Sequence, residues 1–177
     1  MIGVISWNNI INGPKGFEEL ARDYVRDIYK YPDSSWNETS ATHDGNKDGY
    51  LIIVGYHSPN IIDDEVWWME AKYINETEKE ENGNNASKNQ SNKYLHRFKL
   101  DATIVSSIFN KKVTRIVFVT NVEVKAKVIS DVRTALTIAT NCRETFFCTK
   151  HLLEYWLCTH EEIYRKHFGT IPLPDLN

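Results

Sequence analysis

The sequence predicts an α/β protein in which a mixed central sheet is flanked by helices. Three observations carry that expectation. Two runs rich in β-branched and aromatic residues, "GYLIIVGYHS" and "EVWWMEAKYI", are separated by the turn formers of "SPNIIDDE", as in a hairpin. A third run, "VTRIVFVTN", is apolar at most positions, as in a strand buried on both faces. Around these runs lie segments whose apolar residues recur every three or four positions, the spacing of one helical stripe.

In chain order, "PKGFEELARDYVRDIYK" opens with Pro and Gly and places Phe17, Leu20, Ala21, Tyr24, Val25 and Ile28 on one stripe, which predicts a helix over 14–30. "YPDSSWNETSATHDGNKDG" is broken by turn formers and leaves room for a short strand near Trp36 to Thr42. After the hairpin, residues 75–92 offer almost nothing to bury and predict a mobile surface loop. "KYLHRFKLDATIVSSIFN" returns to helical order, with Leu95, Phe98, Ala102, Val105 and Phe109 on one stripe. "VEVKAKVISDVRTALTIAT" is a helix by pattern, although it is rich in β-branched residues. "CRETFFCT" predicts a short strand, "KHLLEYWLCTHEEIYRKHF" one or two helices, and "GTIPLPDLN" a linker. The expected organisation is a core over 1–147, a helical extension over 148–168 and a linker over 169–177, as in a module of a larger protein.

The 177 residues, 41% of them hydrophobic, suffice for one compact domain. A net charge of −3 does not advertise a nucleic-acid binder, so such a role must rest on local charge. Eight basic residues fall between Lys93 and Lys127 against only Asp101 and Glu123, so this stretch offers a cationic face for phosphates. No apolar run approaches the roughly 20 residues that cross a bilayer. "MIGVISWNNIINGPKG" lacks the charged region and cleavage site of a signal peptide. Cys142, Cys148 and Cys158 are too few to pair fully and form no C-x-x-C, which fits a cytoplasmic location.

One stretch sets the functional question. In "DEVWWMEAKYIN" a glutamate and a lysine sit two residues apart inside a run that reads as a buried strand. Side chains alternate along a strand, so Glu70 and Lys72 share a face with Val66 and Trp68, while Trp67, Met69, Ala71 and Tyr73 take the other. Trp67 and Trp68 are thereby expected to cover the two faces of the sheet. In the hairpin, the start of the preceding strand lies beside the end of this one, so Asp48 can approach Glu70 and Lys72. Two nearby carboxylates repel unless a cation lies between them, and hard oxygens suit Mg²⁺. Asp, Glu and Lys in this geometry form a minimal kit for phosphodiester hydrolysis. An ordinary ion pair with a turn aspartate is the competing reading of E-x-K by itself.

The surrounding residues add a resemblance. "GFEEL", then "THDGNKDGYLI", then "WWMEAKYI", then "RIVFVTN" followed by a helix occur in the order and spacing of the PD-(D/E)xK restriction-endonuclease-like superfamily. The chain most resembles the Mrr-like type IV branch, over about residues 14 to 147. That resemblance implies a restriction-endonuclease-like core and a Mg²⁺-dependent endonuclease that cuts DNA to leave a 5′-phosphate, with Mn²⁺ able to replace Mg²⁺. It implies metal binding by Asp48, Glu70 and the backbone carbonyl of Ala71, a catalytic Lys72, and a supporting acid at Glu18, with Glu19 the alternative in register. Lys93, Arg97 and Lys99 fall where family members contact the DNA backbone. The resemblance also implies double-stranded DNA as partner, assembly into a homo-oligomer, and C-terminal sensor or NTPase domains in an antiphage defence protein. Two features depart from the pattern. "HDGNKDG" carries fewer glycines than the family's approach to its aspartate, and many Mrr relatives carry Gln where this chain has Glu70. A catalytically inactive binding or assembly module of the same fold, and an RNA- or junction-directed nuclease, are the alternatives.

Other clusters invite chemistry and read better as structure. Cys148, His151, Cys158 and His160 have a spacing, C-x2-H-x6-C-x-H, without the usual knuckles of a zinc site. Nothing in the sequence supplies an orienting acid or oxyanion hole for a Cys–His nucleophile. His43 reads as a turn residue near Asp48.

Overall fold

The structure of the chain is a computed structural model, and it describes residues 5–29, 34–38, 49–53, 65–73 and 114–170. A short 3₁₀ turn, Trp7–Asn9, leads into helix α1, Gly13–Tyr29. Strands β1 (Ser34–Glu38), β2 (Gly49–Ile53) and β3 (Glu65–Lys72) follow. Strand β4 (Arg115–Thr120), helix α2 (Ala126–Thr140), strand β5 (Glu144–Cys148) and helices α3 (Lys150–Thr159) and α4 (Glu161–Phe168) complete the order. The loop expected over 75–92 and the helix expected after it lie outside the described residues.

The five strands form one sheet in the order β1-β2-β3-β4-β5. The pairs β1/β2 and β2/β3 are antiparallel, and β3/β4 and β4/β5 are parallel. The fold is therefore mixed α/β, and the hairpin expected from the sequence is present, with Gly49 opposite Met69 and Leu51 opposite Trp67. Strand β1 begins earlier than expected, at Ser34, and residues 39–42 of the expected span lie outside the described residues.

Alternation along β3 and β4 divides the core into two layers. On one face Trp67, Met69, Ala71, Val117 and Val119 join α1, α3 and α4 in a single apolar cluster. On the other, Trp68, Ile116 and Phe118 pack with Val128, Val132 and Leu136 of α2. The two adjacent tryptophans thus cover opposite faces, as expected, at 2% and 3% exposure. Both faces of β4 are covered, which accounts for its unbroken apolar run. Burying each of Val128, Val132 and Leu136 contributes about 1.5–3 kcal/mol, enough to hold α2 helical despite its β-branched residues. Asn141 ends that helix in a left-handed conformation, φ 54°, and its N–H donates to the Thr137 carbonyl.

The stripe of α1 is buried from Phe17 to Val25, but Ile28 is 46% exposed. At that last turn the contact with the sheet passes to Tyr29, whose ring meets Trp67 and Phe146 at 5.0 and 5.3 Å. Of the segment 148–168, Cys148 ends β5 and the rest forms two helices, Lys150–Thr159 and Glu161–Phe168, broken at His160. They pack into the same cluster as α1 through Leu153, Trp156, Leu157, Tyr164 and Phe168. Two polar ties reinforce this packing. Asp23 of α1 accepts from Lys166 Nζ at 2.6 Å and pairs with the buried His167 Nε2 at 2.7 Å. One turn on, Asp27 accepts from Trp156 Nε1 at 2.8 Å and pairs with His160 Nε2 at 3.2 Å. No helix among the described residues is long and apolar enough to cross a membrane.

Two outcomes follow from this packing. At Gly16 a Cβ would collide with the backbone carbonyl of Ile11, so Gly16→Ala is expected to lower Tm by several degrees, while Lys15→Ala on the exposed side of the same turn leaves it unchanged. Burial alone would raise the Asp23 carboxyl, but hydrogen bonds and charge from His167 and Lys166 outweigh it and hold it below its ordinary 3.8. A carboxyl depressed in the folded state stabilises fully above its ordinary value and loses that contribution as pH falls through the depressed one. Asp23→Asn is therefore expected to lower Tm at neutral pH and to flatten the loss of Tm on acidification below about pH 4, measured by thermal melts across pH.

Candidate functional site

The site starts from one run of chain. In β3, alternation sends Trp68, Glu70 and Lys72 to the face covered by α2, away from the α1 layer. The parallel register with β4 then sets Phe118 beside Glu70 and Thr120 beside Lys72. Ile116 and Phe118 lie in the α2 cluster and Val117 and Val119 in the other, so Thr120 shares the face of Glu70 and Lys72. An acid, an amine and a hydroxyl are thereby collected at the C-terminal ends of two parallel strands. In open α/β sheets this is the end that takes ligands.

Glu70 is 2% exposed, and Trp68 Nε1 donates to its Oε2 at 3.3 Å. A carboxylate taken out of water is costly unless positive charge and donors compensate it. Lys72, two residues on, is half-buried. Thr120 is wholly buried and its Oγ1 has no hydrogen-bond partner among the described residues. Asn121, the next residue, is buried too. A carboxylate and a neutral hydroxyl are the oxygen types that hard divalent cations take, so the residues present fit Mg²⁺ or Mn²⁺.

The other expected residues fall as follows. Asp48 lies outside the described residues; the residue after it, Gly49, opens β2 opposite Met69, one position before Glu70. Ala71 sits between Glu70 and Lys72, with its side chain in the α1 cluster. Glu18 and Glu19 are half-buried on α1, which packs on the opposite face of the sheet from Glu70. Phe17, just before them, meets Tyr73 with ring centroids 5.8 Å apart, so this turn of α1 stands at the same end of β3 as Lys72. Lys93, Arg97, Lys99 and His43 lie outside the described residues. Sequence reasoning did not single out Thr120 and Asn121. Their signal was the pair of polar residues ending an otherwise apolar strand, "RIVFVTN".

Beyond β4 the same end of the sheet carries a second polar group. Thr149, the residue before α3, makes no side-chain cap of its own. Glu123, from the loop after β4, supplies it: Oε1 accepts from the His151 N–H at 2.6 Å and Oε2 from the Thr149 hydroxyl at 3.2 Å. A carboxylate at a helix N-terminus is doubly favourable, as acceptor for orphan amides and as negative charge against the dipole. Glu154 Oε1, on α3, accepts from Trp7 Nε1 at 3.0 Å. Burial raises its carboxyl above the ordinary value, although Lys150 and Trp7 draw it down.

Cys148 ends β5 in the core, where burial pushes its thiol up to about 12. Cys158 is half-buried on α3, His151 is exposed, and His160 pairs with Asp27. Among the described residues no group of three or more His, Cys, Asp or Glu gathers to hold a metal.

Comparison with protein-family models, curated proteins and solved structures finds no match to this chain.

The capping geometry is open to measurement. Glu123→Ala is expected to cost about 1 kcal/mol of stability, because it uncaps α3. Glu123→Gln, which keeps an acceptor and loses the charge, should fall between that variant and the parent in a urea titration.

Proposed function

We propose that this chain is a Mg²⁺-dependent endonuclease domain with a restriction-endonuclease-like core that hydrolyses DNA phosphodiester bonds. The observation that supports it most is the placement of Glu70 and Lys72 on one face at the C-terminal end of β3, beside the strand that begins directly after Asp48.

In this reading Asp48, Glu70 and the backbone carbonyl of Ala71 hold the ion. When bound, it screens the phosphate and makes water a better nucleophile near neutral pH. The chain's own groups do the rest. Lys72 positions the attacking water and offsets charge that builds on the phosphate. The Trp68 N–H orients the Glu70 carboxylate, as the ligands of a metal site are held by their neighbours. Glu18, the supporting acid that the resemblance implies, lies on the α1 side of the sheet and would have to reach the site around the end of β3 marked by Tyr73. Burial of Glu70 keeps bulk water from competing and strengthens each electrostatic contact in the pocket.

Double-stranded DNA is the proposed substrate, held through its phosphates by Lys93, Arg97 and Lys99. Such contacts position a duplex without reading its sequence. The proposed setting is the cytoplasm, in a homo-oligomer whose paired sites cut both strands, as the effector of a larger defence protein with C-terminal sensor or NTPase domains.

Supercoiled plasmid incubated with the protein and Mg²⁺ is expected to become nicked and linear. EDTA should abolish the conversion and Mn²⁺ restore it. Lys72→Ala is expected to lower the rate at least about 100-fold while DNA binding, measured by mobility shift, persists. DNA binding with no metal-dependent nicking would identify a binding or assembly module instead. Preferential cutting of RNA or four-way junctions would redefine the substrate.

A further inference from the structure

We infer that Thr120 supplies a neutral oxygen to the cation pocket headed by Glu70, which makes it a further residue of the site. The inference rests on the nuclease reading of that pocket and adds a residue that the E-x-K pattern does not contain.

Thr120 is fully buried and its hydroxyl has no hydrogen-bond partner among the described residues. Native chains pair nearly all their buried polar groups, and an orphan marks strain, a catalytic or binding role, or an absent ligand. Strain is not the reason here. Thr120 is the last residue of a regular strand and keeps its register with Lys72. Valine has the same shape, suits a buried strand better, and leaves no hydroxyl to satisfy. A threonine at this position is therefore unfavourable for the fold taken alone.

The position of Thr120 indicates what its hydroxyl meets. On β4 it stands beside Lys72, and on that face Glu70 is the next residue back along β3. Neighbouring strands lie about 4.8 Å apart, and residues two apart along a strand about 6.6 Å. Those spacings bring a carboxylate and a hydroxyl on this face within reach of one divalent ion and its waters. Hard cations accept neutral oxygens together with carboxylates, and Mg²⁺ keeps waters that need hydrogen-bond partners of their own. A hydroxyl serves either need, and a methyl group serves neither.

The test uses the full chain, Mn²⁺ alone as the probe, calorimetric titration and thermal melts. Thr120→Val, Thr120→Ser and Glu70→Gln are compared with the parent. Thr120→Val is expected to melt a few degrees higher without metal, because the orphan is gone. It is also expected to bind Mn²⁺ about tenfold more weakly and to show a smaller metal-induced rise in Tm at the same Mn²⁺ concentration. Thr120→Ser should bind as the parent does. Thr120→Ala, which also removes the hydroxyl, gives a second affinity readout. A metal-free Thr120→Val that melts lower than the parent overturns the inference, since the hydroxyl would then serve the fold. Unchanged Mn²⁺ affinity in Thr120→Val, with binding lost in Glu70→Gln, overturns the inference and leaves the nuclease reading standing. Binding unaffected by Glu70→Gln, or absent from the parent, overturns both.

Discussion

The parallel pairing of β3 with β4 is the constraint on which the rest of the molecule depends. It places Trp67 and Trp68, adjacent in sequence, in separate apolar layers, and it aligns Glu70 with Phe118 and Lys72 with Thr120. Slipping the pairing by one residue would send every side chain of β3 to the opposite face. The tryptophans prevent that slip. Each is almost wholly buried against a different helix layer, so a register error would expose or collide two of the largest side chains in the chain.

Between these layers the interior changes character along the strands. The middle of β4 is apolar on both faces, and only at its C-terminal end do Thr120 and Asn121 appear, both buried. The same holds in β3, where Glu70 and Lys72 follow the two tryptophans and Met69. Polar groups in such places cost stability unless something offsets them, and natural chains concentrate such costs where they bind or react. Glu70 and Thr120 are thus buried polar groups at this end of the sheet that cost the fold stability unless something offsets them.

The opposite layer is tied in a different way. Helix α1 uses Asp23 and Asp27, one turn apart, to hold His167, Lys166, Trp156 and His160 of the last two helices. Each carboxylate is only partly exposed and meets side chains from two positions of the last helices, Lys166 and His167 at Asp23 and Trp156 and His160 at Asp27. These ties fix α1 against α3 and α4, and hence fix the turn carrying Glu18 at the end of β3 marked by Tyr73.

Local pattern alone was enough to determine much of this protein. The three-and-four spacing of α1 and the short β-branched and aromatic runs of β3 and β4 each follow from residues within a few positions of one another, and period together with run length and composition assigns helix and buried strand. Alternation also determined that Glu70 and Lys72 share a face, since that depends only on the geometry of one strand. Tertiary structure decided what depends on distant partners. Ile28 fits the stripe of α1, yet its exposure depends on Tyr29 reaching the sheet in its place. Glu123 reads as part of the helix that follows β4, yet that helix starts only at Ala126, and with β4 and β5 side by side the start of α3 falls beneath its carboxylate. Thr120 reads as the end of an apolar run until parallel register sets it beside Lys72. Spacing along the chain is a local quantity and strand register is not, because register is settled by the burial of side chains from three or more elements at once.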